Sequence, residues 1–189
     1  APPAIISVFI GTQLSEVLDE LEKLESGKMS PEKKTELKLN VVGKIPEILL
    51  DNTDRNRTSP FAFTGNKFEL RAVGSTANCA VPMTVLNTIV ADQLVQFKKE
   101  VDALIKNGMK KDDAIFNILK EYIKSSKAIR FEGDGYSDAW KVEAEKRGLK
   151  NTPDTPRALD FYVTQDAKDL FAKHGILNEV ELEARYEIL

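Results

Sequence analysis

A long apolar stripe in the second half constrains the fold of this chain more than any other sequence feature. Six apolar residues between positions 86 and 104 follow one another at intervals of four or three, which is the spacing of one helix face. Asn107-Gly108 then supplies a helix stop. The stripe predicts a helix over residues 82–106 whose apolar face is buried in a core or against another subunit.

The remaining periodicities predict an α+β fold. Residues 5–10 form a β-branched apolar run that suits a strand, and Ser15 is placed to cap a following helix. The second half repeats helical spacing between breaks at 133–135 and 151–156. We expect a small antiparallel sheet backed by helices and a mostly helical C-terminal half. The expected strands are residues 5–10, 36–42, 61–64 and 67–73, and the expected division is a sheet region at 1–82 and a helical subdomain at 83–189.

Composition narrows the class of protein. The 189 residues carry a net charge of −3, which does not favour nucleic acid as a partner. No apolar run approaches the length of about 20 residues that a membrane helix needs. The single cysteine, Cys79, excludes a disulfide scaffold and favours a cytoplasmic location. One histidine and one cysteine leave little material for a zinc site, so a metal here is expected to be hard and bound by oxygen.

A basic segment interrupts this acidic chain between residues 54 and 71. It holds a two-residue turn signal, Gly65-Asn66, between two apolar-aromatic runs, which predicts a hairpin. In the resulting register Phe63 faces Phe68 and Ala62 faces Glu69. One sheet face then carries aromatic and leucine side chains and is expected to be core. The other face carries Lys67, Glu69 and Arg71 opposite small residues, with room above it for a ligand.

A cation, an anion and a cation in one row suit phosphoryl transfer. Lysine and arginine neutralise phosphate charge, and a carboxylate can hold Mg²⁺ or Mn²⁺. Arg55 and Arg57 lie just before the hairpin and would add donors for phosphate oxygens. The alternative is a solvated sheet face on which Lys67, Glu69 and Arg71 pair with one another. The spacing alone leaves both interpretations open.

The segment Arg-Asn-Arg-Thr-Ser-Pro-Phe-Ala-Phe-Thr-Gly-Asn-Lys-Phe-Glu-Leu-Arg-Ala-Val-Gly-Ser at 55–75 closely resembles the catalytic-domain signature of glutamine synthetases. It is most similar to the large bacterial form known as type III. Residues 1–9 look like the stretch that follows the active-site flap glutamate of that family, and residues 130–137 also resemble type III. The likeness to type III covers essentially the whole chain, whereas the likeness to glutamine synthetases in general is confined to about residues 54–82.

The resemblance implies roles for individual residues. Glu69 matches the glutamate that binds the metal bridging the nucleotide phosphates, and Arg71 matches an arginine that contacts the substrate glutamate or the γ-phosphoryl group. Arg57 matches an arginine that stabilises the phosphates during transfer, and Lys67 stands at a basic nucleotide contact. Smaller glutamine synthetases have a further arginine at the position of Ala62, so either another group supplies that charge here or the type III site is built differently.

The implied activity is that of a glutamate–ammonia ligase. The enzyme would use ATP and Mg²⁺ or Mn²⁺ to join ammonia to glutamate through γ-glutamyl phosphate. It would act as a ring-shaped homo-oligomer. Both chain ends look cut from a longer protein, and the family's other metal-binding motifs are not found here. The chain alone is therefore expected to be inactive. Two other hypotheses stay open: a nucleotide- or anion-binding regulatory module, and a structural segment for oligomerisation.

Overall fold

The computed structural model describes residues 5–23, 58–72 and 76–189. Within these ranges the α+β class and the mostly helical C-terminal half are confirmed. The strands are β1 (Val8–Phe9), β2 (Phe61–Phe63) and β3 (Phe68–Leu70). The α-helices are α1 (Thr12–Lys23), α2 (Ala80–Lys106), α3 (Lys111–Ser125), α4 (Asp138–Lys146), α5 (Thr155–Leu159), α6 (Gln165–Lys173) and α7 (Glu179–Ile188). Short 3₁₀ helices cover Lys127–Ile129 and Asp160–Val163.

The sheet formed by the described strands is mixed, not wholly antiparallel as expected from the sequence. β2 and β3 pair antiparallel, whereas β1 pairs parallel to β2, with Val8 opposite Phe61 and Phe9 opposite Ala62. A parallel pair needs a crossover connection of a dozen or more residues. The 51 residues between Phe9 and Phe61 are ample for one, and strand periodicity carries no information about direction.

The described chain divides into two compact units. The first comprises residues 1–73 and 104–151, and the second comprises residues 74–103 and 152–189. In the first unit Ile5, Trp140 and Ala144 form a buried cluster, with Phe131 and Leu149 packed against it. The stacked rings of Phe131 and Trp140 have centroids 3.6 Å apart. The boundary between residues 82 and 83 stays a prediction about domain organisation.

The second unit is helical in its described residues. Leu182 and Phe171 are buried in it. Lys168 bridges Glu179 and Glu183 at 2.6 and 3.0 Å, which ties α6 to α7. The His174 ring, at the C-terminal end of α6, lies 2.7 Å from the Asp92 carboxylate on α2. His174 therefore lies at a helix end, as its position before Gly175 indicates.

The long helix predicted from the apolar stripe is present as α2. It begins at Ala80 and ends at Lys106, within two residues of the prediction at its start. Its apolar face is unevenly covered in this chain: Val101 is 6% exposed, whereas Val90 and Leu94 are 45% and 63% exposed. The prediction of a buried stripe therefore holds in this chain only toward the C-terminal end of α2.

The predicted cap of the first helix is wrong. α1 begins at Thr12, three residues before Ser15, and the backbone N–H of Ser15 donates to the Gly11 carbonyl at 3.0 Å as part of the helix start. Gly11 has a φ of +86°, a conformation that glycine adopts readily, so the turn from β1 into α1 occurs there. The Ser15 hydroxyl is thereby free to donate elsewhere.

Several predicted features fall outside the described residues. The strand expected at 36–42, Arg55 and Arg57 are among them. Of the helices in the described ranges, none has the length and apolar character that crossing a membrane requires.

Candidate functional site

The hairpin that carries the charged row has the predicted register. Phe61 pairs with Leu70, Ala62 with Glu69, and Phe63 with Phe68. The Thr64 N–H donates to the Lys67 carbonyl at 2.8 Å and closes the turn, in which Gly65 has a φ of +96°. The turn sequence therefore sets which residues share a face, and Glu69 lies on one face with its neighbours two positions away.

The structure brings Lys67, Glu69 and Arg71 together in one ion-pair row. The Lys67 Nζ lies 3.0 Å from Glu69 Oε1, and an Arg71 guanidinium nitrogen lies 3.3 Å from Glu69 Oε2. Lys67 Nζ also donates to the Thr64 hydroxyl at 3.2 Å. The three charges are thus paired with one another, as the alternative of a solvated sheet face requires, while their side chains stay 27 to 61% exposed.

The same contacts set the electrostatics of Glu69. The hydrogen bond from Lys67, followed by that from Arg71, holds the pKa of the Glu69 carboxyl below its ordinary value of 4.5. Each carboxylate oxygen accepts from one cation and retains a further lone pair. Glu69 is therefore ionised at neutral pH and available as an oxygen donor to an additional cation.

The aromatic face of the hairpin is not the core that the sequence predicts. Phe61 and Phe68 stack with centroids 4.8 Å apart, and Phe63 packs on Phe68 at 5.2 Å, but Phe68 is 47% exposed. On the charged face Ala62 is fully buried, so the room expected above it is not open. Ala62 is small and lies between Phe9 and Glu69 on the two adjacent strands, so it is in the middle strand of the described sheet.

The described residues supply one part of the predicted site. Lys67, Glu69 and Arg71 are among the described residues, whereas Arg55 and Arg57 are not. Over the same described ranges, no three histidine, cysteine, aspartate or glutamate side chains form a group that could hold a metal ion. Glu69 therefore qualifies as a single oxygen ligand, to be completed by groups elsewhere.

A second polar cluster lies in the first unit beside α1. It borders a cleft of about 410 Å³. The cleft is lined by Ser15, Asp19, Lys127, Ala128, Arg130, Glu132 and Arg147. Lys127 pairs with Asp19 and Glu22 at 3.2 and 2.8 Å, and Arg130 pairs with Asp19 at 2.9 Å. The hydrogen bond from Arg130 is the main cause of a lowered pKa of Asp19.

Glu132 makes the longest-range contacts in this cluster. Its carboxylate accepts from the Gly11 N–H at 2.9 Å, the Ile10 N–H at 3.4 Å and the Ser15 hydroxyl at 2.8 Å. These donors occupy the end of β1 and the first turn of α1. The carboxylate thus holds the residues that lead into α1 and one hydroxyl of its first turn, where the sequence placed Ser15 as a cap.

Sequence reasoning assigned no role to the cluster, although residues 130–137 carried part of the resemblance. The available signal was the alternation Arg130-Phe131-Glu132, which places the two charged side chains on one side and the ring on the other. The partners of the Arg130 and Glu132 side chains lie 111 to 122 residues earlier, so no local pattern could name them.

Comparison with known proteins identifies a class of protein to which the C-terminal part of this chain is similar. Residues 114–189 match the model of the glutamine synthetase C-terminal domain. This match lies outside residues 54–82, where the sequence placed the likeness to glutamine synthetases in general.

The particular relatives are named glutamine synthetases, and one of them is named as type 3. Over its full length the chain is 56% identical to a glutamine synthetase of Bacteroides fragilis and 43% identical to a type-3 glutamine synthetase of Dictyostelium discoideum. It is 39% identical to a glutamine synthetase of Butyrivibrio fibrisolvens. The resemblance to type III glutamine synthetases is therefore confirmed. The chain spans about a quarter of the length of these relatives, 25 to 26%.

Proposed function

We propose that this chain contributes phosphate- and metal-binding residues to a glutamate–ammonia ligase. The reaction is the ATP-dependent joining of ammonia to glutamate through γ-glutamyl phosphate, and the isolated chain is inactive. The observation that carries the proposal is the row Lys67–Glu69–Arg71 on the hairpin of a chain whose relatives are named glutamine synthetases. The predicted register, now confirmed, places all three side chains on one face.

The residues present fit the chemistry of a divalent metal and a nucleotide phosphate. Glu69 offers ionised carboxylate oxygens, which Mg²⁺ and Mn²⁺ prefer, and a bound metal would neutralise charge on the phosphate oxygens. Lys67 and Arg71 flank it with donors that are only partly buried and can turn toward a phosphate. In this proposal Arg71 contacts the transferring phosphoryl group or glutamate, and Lys67 contacts the nucleotide.

Arg55 and Arg57 complete the proposed set. Both precede the hairpin in the sequence, and the resemblance supports Arg57 as a phosphate-stabilising residue. Guanidinium groups present forked donors that match phosphate oxygens. Arg57 is assigned to phosphoryl transfer and Arg55 to nucleotide binding.

The test is glutamate- and ammonia-dependent phosphate release from Mg-ATP by the full-length protein that carries this chain. Wild type is compared with Glu69→Ala and with Glu183→Ala, an exposed carboxylate on α7 that also pairs with a lysine. We expect Glu69→Ala to lower turnover by at least about 100-fold, as loss of a group that stabilises transition-state charge does, and Glu183→Ala to leave it unchanged.

Each outcome decides between the hypotheses. Equal turnover of wild type and Glu69→Ala would disprove the role of Glu69 but not the activity. No turnover in wild type, with ATP binding weakened by Glu69→Ala, would replace the ligase with a nucleotide-binding regulatory module. Phosphate release by the isolated chain would contradict the proposal that it is inactive alone.

A role in assembly is compatible with this function. The exposed apolar side chains of α2, among them Val90, Leu94 and Val95, support a contact with further protein in a homo-oligomer. The molar mass of the full-length protein by light scattering tests it, and a monomer would contradict it.

A further inference from the structure

The residues 127–132, here called the clamp segment, hold both the edge and the end of β1. The Phe131 N–H donates to the Val8 carbonyl at 2.9 Å, and Val8 and Arg130 form a parallel bridge. Glu132 accepts from the two amides that follow the strand, at Ile10 and Gly11. The clamp segment thus fixes β1 on the edge opposite β2.

Further contacts hold the clamp segment itself in place. Arg130 is only 10% exposed and pairs with Asp19 on α1, while its carbonyl accepts from Arg147 at 2.9 Å. The ring of Phe131 stacks on Trp140, which is 2% exposed. The cations that line the cleft are matched by carboxylates, so we interpret the cluster as a rigid support and not as a binding site.

A row of paired residues leads from this support to the hairpin. Phe9, adjacent to the amides that Glu132 holds, lies opposite Ala62, and Ala62 lies opposite Glu69. Phe9 and Ala62 are 3% and 0% exposed. Because packed interiors have little free volume, a displacement of β1 passes to its neighbours along this row.

We propose that Glu132 is a positioning residue for the charged row of the hairpin. Its carboxylate sets the end of β1, and the pairing of β1 with β2 then sets the position and orientation of Glu69. Glu132 itself touches no reacting group. The part of this inference that concerns turnover rests on the function proposed above, whereas the structural part does not.

The variant that tests it is Glu132→Gln, which keeps the size of the side chain but turns an N–H₂ group toward donors that need an acceptor. Asp138→Asn is the matched control, because Asp138 is 94% exposed and pairs with Lys141 on its own helix. Ser15→Ala is a milder second variant that removes one donor to Glu132.

Hydrogen–deuterium exchange of the full-length protein that carries this chain tests the structural part of the inference. It requires no measurement of activity. We expect Glu132→Gln to raise the exchange of peptides covering 8–11, 61–63 and 68–70 by about tenfold, given the strength of hydrogen bonds to charged acceptors. Peptides from α6 and α7 should not change, and Ser15→Ala should give a smaller change of the same kind. Faster exchange at 8–11 with none at 61–63 and 68–70 would overturn the inference.

The part of the inference that concerns turnover is tested by steady-state kinetics of the full-length protein. We expect Glu132→Gln to lower kcat by about tenfold while KM for glutamate and for ATP changes little, because misplaced groups cost more in the transition state than in binding. A variant that melts at a lower temperature but keeps kcat would show a merely structural role and overturn the inference. If wild type shows no turnover, the proposed function fails and the exchange experiment alone decides on Glu132. If Glu132→Gln does not fold, both the exchange and the kinetic measurement are made on Ser15→Ala.

Discussion

Glu69 and Glu132 are two carboxylates of the same compact unit that are held by different kinds of donor. Glu69 accepts from Lys67 and Arg71, charged side chains two positions away on its own hairpin. Glu132 accepts from two backbone amides and a hydroxyl that lie 117 to 122 residues earlier. Flexible, partly exposed cations can exchange one carboxylate for a ligand, whereas backbone amides cannot follow a displaced acceptor. The comparison separates a group suited to binding from a group suited to support.

The largest expected effect comes from removing the ring beneath the clamp segment. Trp140→Ala deletes a side chain that is 2% exposed and stacks on Phe131, and Arg147 lies over the same ring at 5.3 Å. We expect a loss of about 3–5 kcal/mol in the free energy of unfolding, as for other large-to-small core substitutions. Urea unfolding followed by far-UV circular dichroism measures it, since the variant lacks the only tryptophan.

Phe68→Ala provides the contrast to Trp140→Ala, because the Phe68 side chain is 47% exposed and leaves a smaller cavity. Its loss of stability should be clearly smaller. Equal losses in the two variants would mean that the aromatic face of the hairpin is as deeply packed as the Trp140 cluster.

The next-largest effect is the loss of stability on removing Glu132, which can be compared directly with the loss on removing Glu69. Glu132→Ala leaves the Gly11 and Ile10 amides without their acceptor, which should cost about 1–3 kcal/mol in the free energy of unfolding. Glu69→Ala removes two partly exposed ion pairs and should lower the free energy of unfolding by clearly less than Glu132→Ala does. Urea unfolding followed by Trp140 fluorescence measures both variants. A larger loss for Glu69→Ala than for Glu132→Ala would reverse the comparison.

The smallest effect is on the titration of Glu69. Its pKa in the folded chain is lowered by Lys67 first and Arg71 second, so the ion pairs add stability above pH 4.5 that is lost as the pH falls through the folded-state pKa. Lys67→Ala should raise the Glu69 pKa toward 4.5, measured by ¹³C NMR of the side-chain carboxyl. Lys168→Ala, a lysine that pairs with carboxylates on α7, should leave it unchanged. An unaltered Glu69 pKa in Lys67→Ala would show that the Lys67 contact is not formed in solution.

Local patterns predicted those parts of the structure that local forces determine. The register from Phe61 to Leu70 follows from a two-residue turn, and the bounds of α2 follow from helical spacing and Gly108. The row Lys67–Glu69–Arg71 follows from the same register, since side chains two positions apart share a face.

Long-range contacts and burial escaped prediction for a physical reason. The parallel pairing of β1 and the support by Glu132 join segments far apart in sequence, and the chain between them imposes no distinctive pattern. Ser15 has the residue type of a helix cap, but it lies inside α1 and its hydroxyl donates to Glu132, a residue far away in the sequence. The exposure of Phe68 and Leu94 depends on which surfaces the fold covers, and periodicity gives only the direction of a side chain.

The position of the clamp segment in the chain has a consequence for synthesis on the ribosome. β1 leaves the exit tunnel before the clamp segment, so the edge of β1 opposite β2 is paired only when Phe131 and Glu132 have also emerged. Chains grow at roughly 5–20 residues per second, so this edge stays open for about 6–25 seconds. An unpaired strand edge is a template for aggregation. The edge of β1 is therefore paired only well after β1 has been synthesised, and variants that weaken Glu132 should lose soluble yield before they lose structure.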